Sequence, residues 1–256
     1  MATGPTPYAR VNETLNLLRA RLRAILGAKL VGLYLYGSLA AGDFDPASSD
    51  VDFVAATAAW RDDAELAALA AMHAEIAANG GTWGRRLEGA YFPLDALRRH
   101  NPQDMRHPFL SSTTPFGVHD LGWDWVINRH TLRERGVVVD GPPPATLIDP
   151  ITREELTDAV RMLLRTDWAR YLDDPELLRA RNYQAFAIFT MCRALYALER
   201  GEFVSKSAAA AWADQHLDAE WRPLVERVPA WRADKAVDDA ALPETLRFLR
   251  AVIERA

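Results

Sequence analysis

Three consecutive prolines split this chain into two stretches of different pattern. The run Asp140-Gly141-Pro142-Pro143-Pro144 has no N–H at its prolines and holds the backbone extended, so neither a helix nor a strand ladder runs through it. Ahead of it, helix-like and strand-like segments alternate. Val11, Leu15, Leu18, Leu22 and Leu26 recur at spacings of three and four, which predicts an amphipathic helix over residues 10–28. Residues 30–36 are aliphatic and aromatic and end at Gly37, as a strand does. Further strands are predicted over 50–55, 86–93 and 137–139, with helices over 59–79 and near 120–135. Behind the prolines only helix is predicted. Thr152 with Glu155 three residues later has the form of a capping box, and helical patterns follow over 152–171, 181–200, 205–217 and 241–255. This order predicts a domain of strands and helices over residues 1–141, a Pro-rich connector over 142–150, and a helical domain over 151–256.

Composition narrows the class. The chain has 256 residues, 49% hydrophobic and 25% charged, the profile of a globular domain rather than a disordered one. No apolar run approaches the roughly 18–20 residues that span a bilayer. The start, Met1-Ala2-Thr3-Gly4-Pro5, has neither the basic nor the apolar region of a signal peptide, so a cytoplasmic location is expected. The single cysteine, Cys192, excludes an internal disulfide framework and a cysteine zinc site, and it reads as a small core residue. His100, His107, His119 and His130 lack the His-x-x-x-His spacing of a helical zinc site. A net charge of −5 disfavours binding to nucleic acid or an anionic membrane and suits a cationic small molecule. No basic stripe with interleaved aromatics speaks for single-strand binding. A monomer acting on a small-molecule substrate is expected.

The residues that carry chemistry lie where two predicted strands meet their turns. Gly37-Ser38 ends the first, and Asp50-Val51-Asp52 opens the second. Alternation along a strand puts Asp50 and Asp52 on one face, about 7 Å apart, with Val51 and Phe53 on the other. Two carboxylates held together repel, and a divalent cation removes the repulsion; Mg²⁺ takes one or two carboxylates and completes its shell with phosphate oxygens. Gly37 allows close backbone approach, and Ser38 adds a hydroxyl and an N–H suited to a phosphate. Glu88 interrupts a third strand pattern and is the candidate third carboxylate, as metal ligand or as the base that takes a proton from an attacking hydroxyl. Two cations stand out behind the prolines. Arg193 interrupts a nearly continuous apolar helix over 185–198 and must pair or face a cleft. Lys206, one of only three lysines, follows the N-cap candidate Ser205, where a bound anion would relieve its conflict with the helix dipole.

Leu35-Tyr36-Gly37-Ser38 followed by Ser49-Asp50-Val51-Asp52 resembles the signature of the nucleotidyltransferase superfamily with a DNA polymerase β-like fold. Arg193-Ala194-Leu195-Tyr196, Gly201, Ser205-Lys206 and Ala211-Trp212-Ala213 are similar to the C-terminal segment of the aminoglycoside adenylyltransferases of the streptomycin/spectinomycin type. The similarity covers residues 28–57, 86–92 and 124–225. It implies an α+β fold class, with a small mixed sheet and helices followed by an all-helical bundle. It also implies an enzyme that moves AMP from ATP, with Mg²⁺, to a hydroxyl of an aminoglycoside, releasing pyrophosphate and giving antibiotic resistance. Carried onto this sequence, it makes Asp50, Asp52 and Glu88 metal ligands, with Glu88 also the base. It puts Ser38 and Ser49 near the nucleotide phosphates and has Arg193 and Lys206 reach them. The chain departs from the family at its substrate residues. Tyr183 falls where an acidic residue is expected, with Asp174 and Glu176 as acidic alternatives nearby. Trp123 and Trp125 are the candidates for the family's aromatic residue, and Trp231 lies near the position where the family places an aromatic close to the adenine. Two alternatives stay open: a nucleotide-binding regulatory module without turnover, and transfer to a protein or metabolite hydroxyl.

Overall fold

A computed structural model describes residues 4–59 and 62–256. The chain divides into two units, Met1–Phe44 with Ser49–Pro150, and Asp45–Ser48 with Ile151–Ala256. The first unit runs α1 (Ala9–Leu26), β1 (Leu30–Leu35), α2 (Gly37–Ala41), β2 (Val51–Thr57), α3 (Asp63–Asn79), α4 (Gly81–Arg85), β3 (Leu87–Pro93), α5 (Leu94–Arg98), β4 (Arg106–Leu110), β5 (Gly117–Asp120), α6 (Asp124–Arg135) and β6 (Val137–Asp140). Its six strands form one mixed sheet in the order β5-β4-β3-β2-β1-β6. Only β2 and β3 run parallel, and that pairing needs the long crossover that α3 and α4 provide.

One face of the sheet is the core. Val11, Leu15, Leu18, Leu22 and Leu26 line the buried stripe of α1, and Leu69, Met72 and Ile76 that of α3. They cover Leu33 and Leu35, Val51, Phe53 and Ala55, and Leu87 and Tyr91. Gly89 occupies the remaining inward position of β3 because the Phe53 ring crosses it; a β-carbon there would stand 2.5 Å from that ring. Alternation turns Tyr36, Asp52, Val54, Glu88, Ala90 and Phe92 to the other face. Helix α6 lies over that face, with Trp125 packed on both Phe92 (ring centroids 4.8 Å apart) and Tyr36 (5.7 Å).

Several elements were not anticipated from sequence. The helix predicted over 59–79 begins at Asp63, capped by the Asp62 carboxylate on the Glu65 N–H (2.8 Å); residues 60 and 61 of that prediction lie outside the described residues. The β4–β5 hairpin has little hydrophobic signal, and Pro108 breaks its pattern. The pairing of β4 with β3 uses only Leu110 and Phe109, so the proline, which has no N–H to donate, stands beyond that ladder. The Pro-rich stretch expected as a connector is packed into the first unit. Its carbonyls at Ala145 and Ile148 accept from Arg133 (2.6 and 2.7 Å), and Asp149 pairs with Arg98 and Arg99 (3.1 and 3.0 Å).

The second unit is helical: α7 (Arg153–Leu163), α8 (Arg170–Asp173), α9 (Arg181–Arg200), α10 (Lys206–His216), α11 (Arg222–Trp231) and α12 (Leu242–Glu254). The Thr152–Glu155 capping box opens α7. A π-helical turn over Leu164–Trp168 interrupts the helix expected to run to residue 171. Buried Ala185, Ile188, Met191, Cys192 and Leu195 make α9 the centre of the bundle. Helix α11 escaped the sequence pattern because it carries Pro223 in its first turn and Pro229 inside. Among the described residues, no helix is long and apolar enough to cross a membrane.

Candidate active site

Strand register assembles the central pair of carboxylates. Asp52 lies directly across from Glu88 in the parallel β2–β3 ladder. Both point away from the core, so the two carboxylates stand on neighbouring strands whose axes are about 4.8 Å apart. Asp50 lies one residue before β2, and the Val51 N–H donates to the carbonyl of Arg86, the residue before β3 (2.7 Å), which anchors the start of β2. Ser49 is buried, and its carbonyl accepts from Arg86 (3.4 Å). The turn at the end of β1 closes the arrangement. The Tyr36 N–H donates to the Asp52 carbonyl (3.2 Å), and the backbone then enters α2 through Gly37 at φ +60°. A β-carbon on Gly37 would stand 2.0 Å from Asp52 Oδ2. Glycine is thus required twice, for its left-handed backbone and for the space the carboxylate occupies. Ser38 follows as the second residue of α2.

Two residues outside the expected set border this pair. Tyr36 is only 5% exposed. Burial first, then the charges of Asp52, Glu88 and Asp124, push its hydroxyl well above the ordinary phenol range. Asp124 opens α6, accepts from Asn128 (3.4 Å), and acts electrostatically on Arg129 as well. Arg129 is 4% exposed. It donates to the carbonyls of Ala96 (2.8 Å), Leu97 (3.2 Å) and Trp125 (3.1 Å), and its guanidinium lies 4.8 Å from the centre of the Phe92 ring. Burial pushes its pKa down to about 10, opposed by Asp124, so it stays charged at neutral pH. The available signals were the parity of Tyr36 with Asp52 across an antiparallel pair, and an acidic residue between Trp123 and Trp125. Both tryptophans are accounted for by packing, Trp125 as above and Trp123 against His100 (5.0 Å).

The donors suit a hard cation. Asp52 and Glu88 bring only oxygen, and the buried Cys192 thiol, pushed up to about 12 by burial, lies in the other unit. Among the described residues, no group of three or more His, Cys, Asp or Glu side chains gathers into a metal cage. A metal here would therefore need oxygens from a substrate in addition to the protein's, as Mg²⁺ on a nucleotide does.

In the helical unit, Arg193 and Lys206 flank the turn from α9 to α10. Arg193 Nε donates to the Val204 carbonyl (3.1 Å), and its guanidinium lies 4.0 Å from the Phe203 ring centre. Ser205 caps α10 by accepting from Ala208 N–H (3.2 Å), and Lys206 Nζ lies 5.2 Å from the Phe186 ring centre. Asp174, Glu176 and Tyr183 line a cavity of about 660 Å³ with Tyr171 and Arg170. Trp231 lies beside the Arg181 and Arg227 guanidinium groups.

Comparison with known proteins follows the same division. Residues 146–254 match the family model for the aminoglycoside adenylyltransferase C-terminal domain. An aminoglycoside (3'')(9) adenylyltransferase of Rhizobium radiobacter is 30% identical over 131 residues, covering 47% of this chain and 44% of that protein. One from Klebsiella pneumoniae is 25% identical over 233 residues, covering 85% of this chain and 83% of that protein. A solved spectinomycin adenyltransferase of Enterococcus faecialis, crystallised with ATP and spectinomycin, superimposes with a TM-score of 0.74 at 17% identity, over 94% of this chain and 98% of that one. The resemblance to aminoglycoside adenylyltransferases is borne out, and the fold is the α+β nucleotidyltransferase fold with a helical C-terminal domain.

Proposed function

We propose that this chain, an aminoglycoside adenylyltransferase-like nucleotidyltransferase, moves AMP from ATP to a hydroxyl of a cationic aminoglycoside such as streptomycin or spectinomycin. The observation that carries the reading is the Asp52–Glu88 pair in register on parallel strands, with the Gly37 turn fitted against Asp52. The relatives that match most of the chain support the acceptor class by their names. An acceptor oxygen attacks the α-phosphorus of ATP. The new O–P bond forms as the bond from the α-phosphorus to the bridging oxygen breaks, and pyrophosphate leaves with that electron pair. Glu88 takes the proton of the attacking hydroxyl. Asp50, Asp52 and Glu88 are the residues we assign to Mg²⁺, which when bound supplies positive charge against the triphosphate. Gly37, Ser38 and Ser49 are assigned to the phosphates through backbone N–H groups and hydroxyls. Arg193 and Lys206 are assigned to offset phosphate charge as the leaving group develops.

The test is pyrophosphate release from ATP and Mg²⁺ with a panel of aminoglycosides. Release that depends on streptomycin or spectinomycin is expected. No nucleotide turnover with any acceptor would overturn the reading in favour of a binding module. Asp50→Asn and Glu88→Gln should retain the fold by circular dichroism. Glu88→Gln should lose roughly 10²–10⁴-fold in turnover with ATP binding largely intact; wild-type rates in that variant would place the base elsewhere.

A further inference from the structure

The helical unit carries a cavity to which the transfer step assigns no task. It measures about 660 Å³; Leu177, Ala180 and Val237 join Tyr171 and Tyr183 in its walls, and its charged members are Arg170, Asp174 and Glu176. That is the volume of a small-molecule site, and largely apolar walls with a few polar groups are the usual pattern of one. Two of the walls stay open to solvent, Leu177 at 45% and Val237 at 61% exposure. Val237 is nonetheless held firmly. It pairs with Ala180 in an antiparallel bridge, flanked by the Arg181 N–H on the Ala236 carbonyl (2.9 Å) and the Asp238 N–H on the Arg179 carbonyl (2.8 Å). The buried Gln184 donates to the Asp238 carbonyl (2.9 Å) and accepts from the Thr245 hydroxyl (3.0 Å). An apolar wall fixed in advance costs little further ordering when a ligand covers it.

Most of the charges around the cavity are paired. Arg179 takes Asp239 through two bonds (2.8 and 2.9 Å) and Glu176 at 3.1 Å. Arg181 takes Asp234 and Asp238 at 2.9 Å each, and Arg170 donates to the Tyr171 hydroxyl (3.2 Å). Asp174 makes no ion pair among the described residues; its carboxylate accepts the Glu176 N–H at 3.5 Å, a long bond. Tyr183 lines the same cavity, and a tyrosine ring attracts a cation over its face.

We propose that this cavity binds a compact organic monocation with an apolar body, the ammonium group on the Asp174 carboxylate and beside the Tyr183 ring, the body against Leu177 and Val237. One carboxylate suits one positive charge. A polycation covered in hydroxyls would meet apolar walls here and leave its polar groups unserved. Arg170 is the opposing feature, since its guanidinium favours an anion.

The test uses the full chain without nucleotide and three probes of nearly one shape: benzylamine (cationic), benzyl alcohol (neutral) and benzoate (anionic). Ligand-observed NMR titration gives dissociation constants for wild type, Asp174→Asn and Val237→Ser, with a melting curve for each. Benzylamine should bind saturably, roughly three- to fivefold more tightly than benzyl alcohol, which is the range of an exposed ion pair, and benzoate should bind most weakly. Asp174→Asn should bring benzylamine to the level of the alcohol and leave the alcohol unchanged. Val237→Ser should weaken both about twofold or more. Both positions are exposed, so wild-type melting is expected of both variants. Absence of saturable benzylamine binding would overturn the assignment, as would equal affinity for benzylamine and benzyl alcohol. Benzoate as the tightest probe would transfer the site to Arg170, and benzylamine affinity unchanged in Asp174→Asn would move it out of this cavity; either result overturns the assignment too. A chain that binds none of the probes leaves the transfer reading standing, and a chain that transfers no AMP leaves this cavity's assignment standing.

Discussion

Gly37 is the residue whose replacement has the most direct consequence for the site. Alanine there would meet Asp52 Oδ2 at 2.0 Å while holding a backbone at φ +60°, a conformation that costs a non-glycine residue roughly 1–2 kcal/mol. Gly37→Ala is therefore expected to lower transfer by at least about 10²-fold, because displacing a carboxylate by an ångström is enough for such a loss, while most of the fold survives. Steady-state rates and a melting curve on one preparation check both halves. His73 makes a prediction of a different kind. It is buried between the rings of Phe53 and Phe116 and bonded through Nε2 to the Tyr91 hydroxyl at 2.5 Å. Among the described residues its Nδ1 has no partner, and burial lowers its pKa to about 4. Unfolded, the ring titrates near 6.5, so between those values the unfolded chain binds the extra proton. Stability is then fully present above about pH 6.5 and is lost as pH falls toward 4, by about 3 kcal/mol at most. Urea unfolding between pH 7 and 4.5 measures the slope, which His73→Gln should flatten. The shared face of Asp52 and Glu88 was legible in the sequence because side chains alternate along a strand, whereas Asp50 precedes β2, where that alternation assigns it no face. Tyr36 and Asp124 were not legible, because a tyrosine closing an apolar strand and an aspartate starting a helix have ordinary structural uses.

At the scale of elements, strong periodicity was readable and weak periodicity was not. The α1 stripe and the β1, β2 and β3 runs stood out because each buries one continuous face. The β4–β5 hairpin, interrupted by Pro108, and α11, carrying Pro223 and Pro229, did not, because tertiary packing outweighed poor local signals there. Helix α6 shows what a single buried charge can do for an element. Arg129 serves three carbonyls, two of them in the last turn of α5. Arg129→Met keeps much of the packing volume but leaves those acceptors unserved, and a loss of about 3 kcal/mol is expected. An unfolding free energy within about 0.5 kcal/mol of wild type by denaturant titration would show that water takes over the guanidinium's bonds.

For the whole molecule, charge sets the expectation. The net charge of −5 and the carboxylates of the site favour approach of a cation, and salt screens such steering beyond about 10 Å at 0.1 M. The KM for a cationic antibiotic should therefore rise several-fold from about 20 to 200 mM NaCl; a salt-independent KM would exclude long-range attraction. The sequence pattern expects a division at the prolines; the chain divides after Pro150, and the Pro-rich stretch is held in the first unit through Arg133, Arg98 and Arg99. The in-register pairing of β2 with β3 bears finally on how much chain length can drift. Deleting one residue from Val54–Thr57, with the rest of the strand held in register, would swing Asp52 toward α1 and turn Phe53 to the face that α6 covers, since the side-chain period is two. A residue gained or lost between Leu110 and Gly117, in the loop that joins β4 to β5, changes no parity in β2 or β3. Insertions and deletions that survive selection for activity should collect in that loop and be absent from the strand.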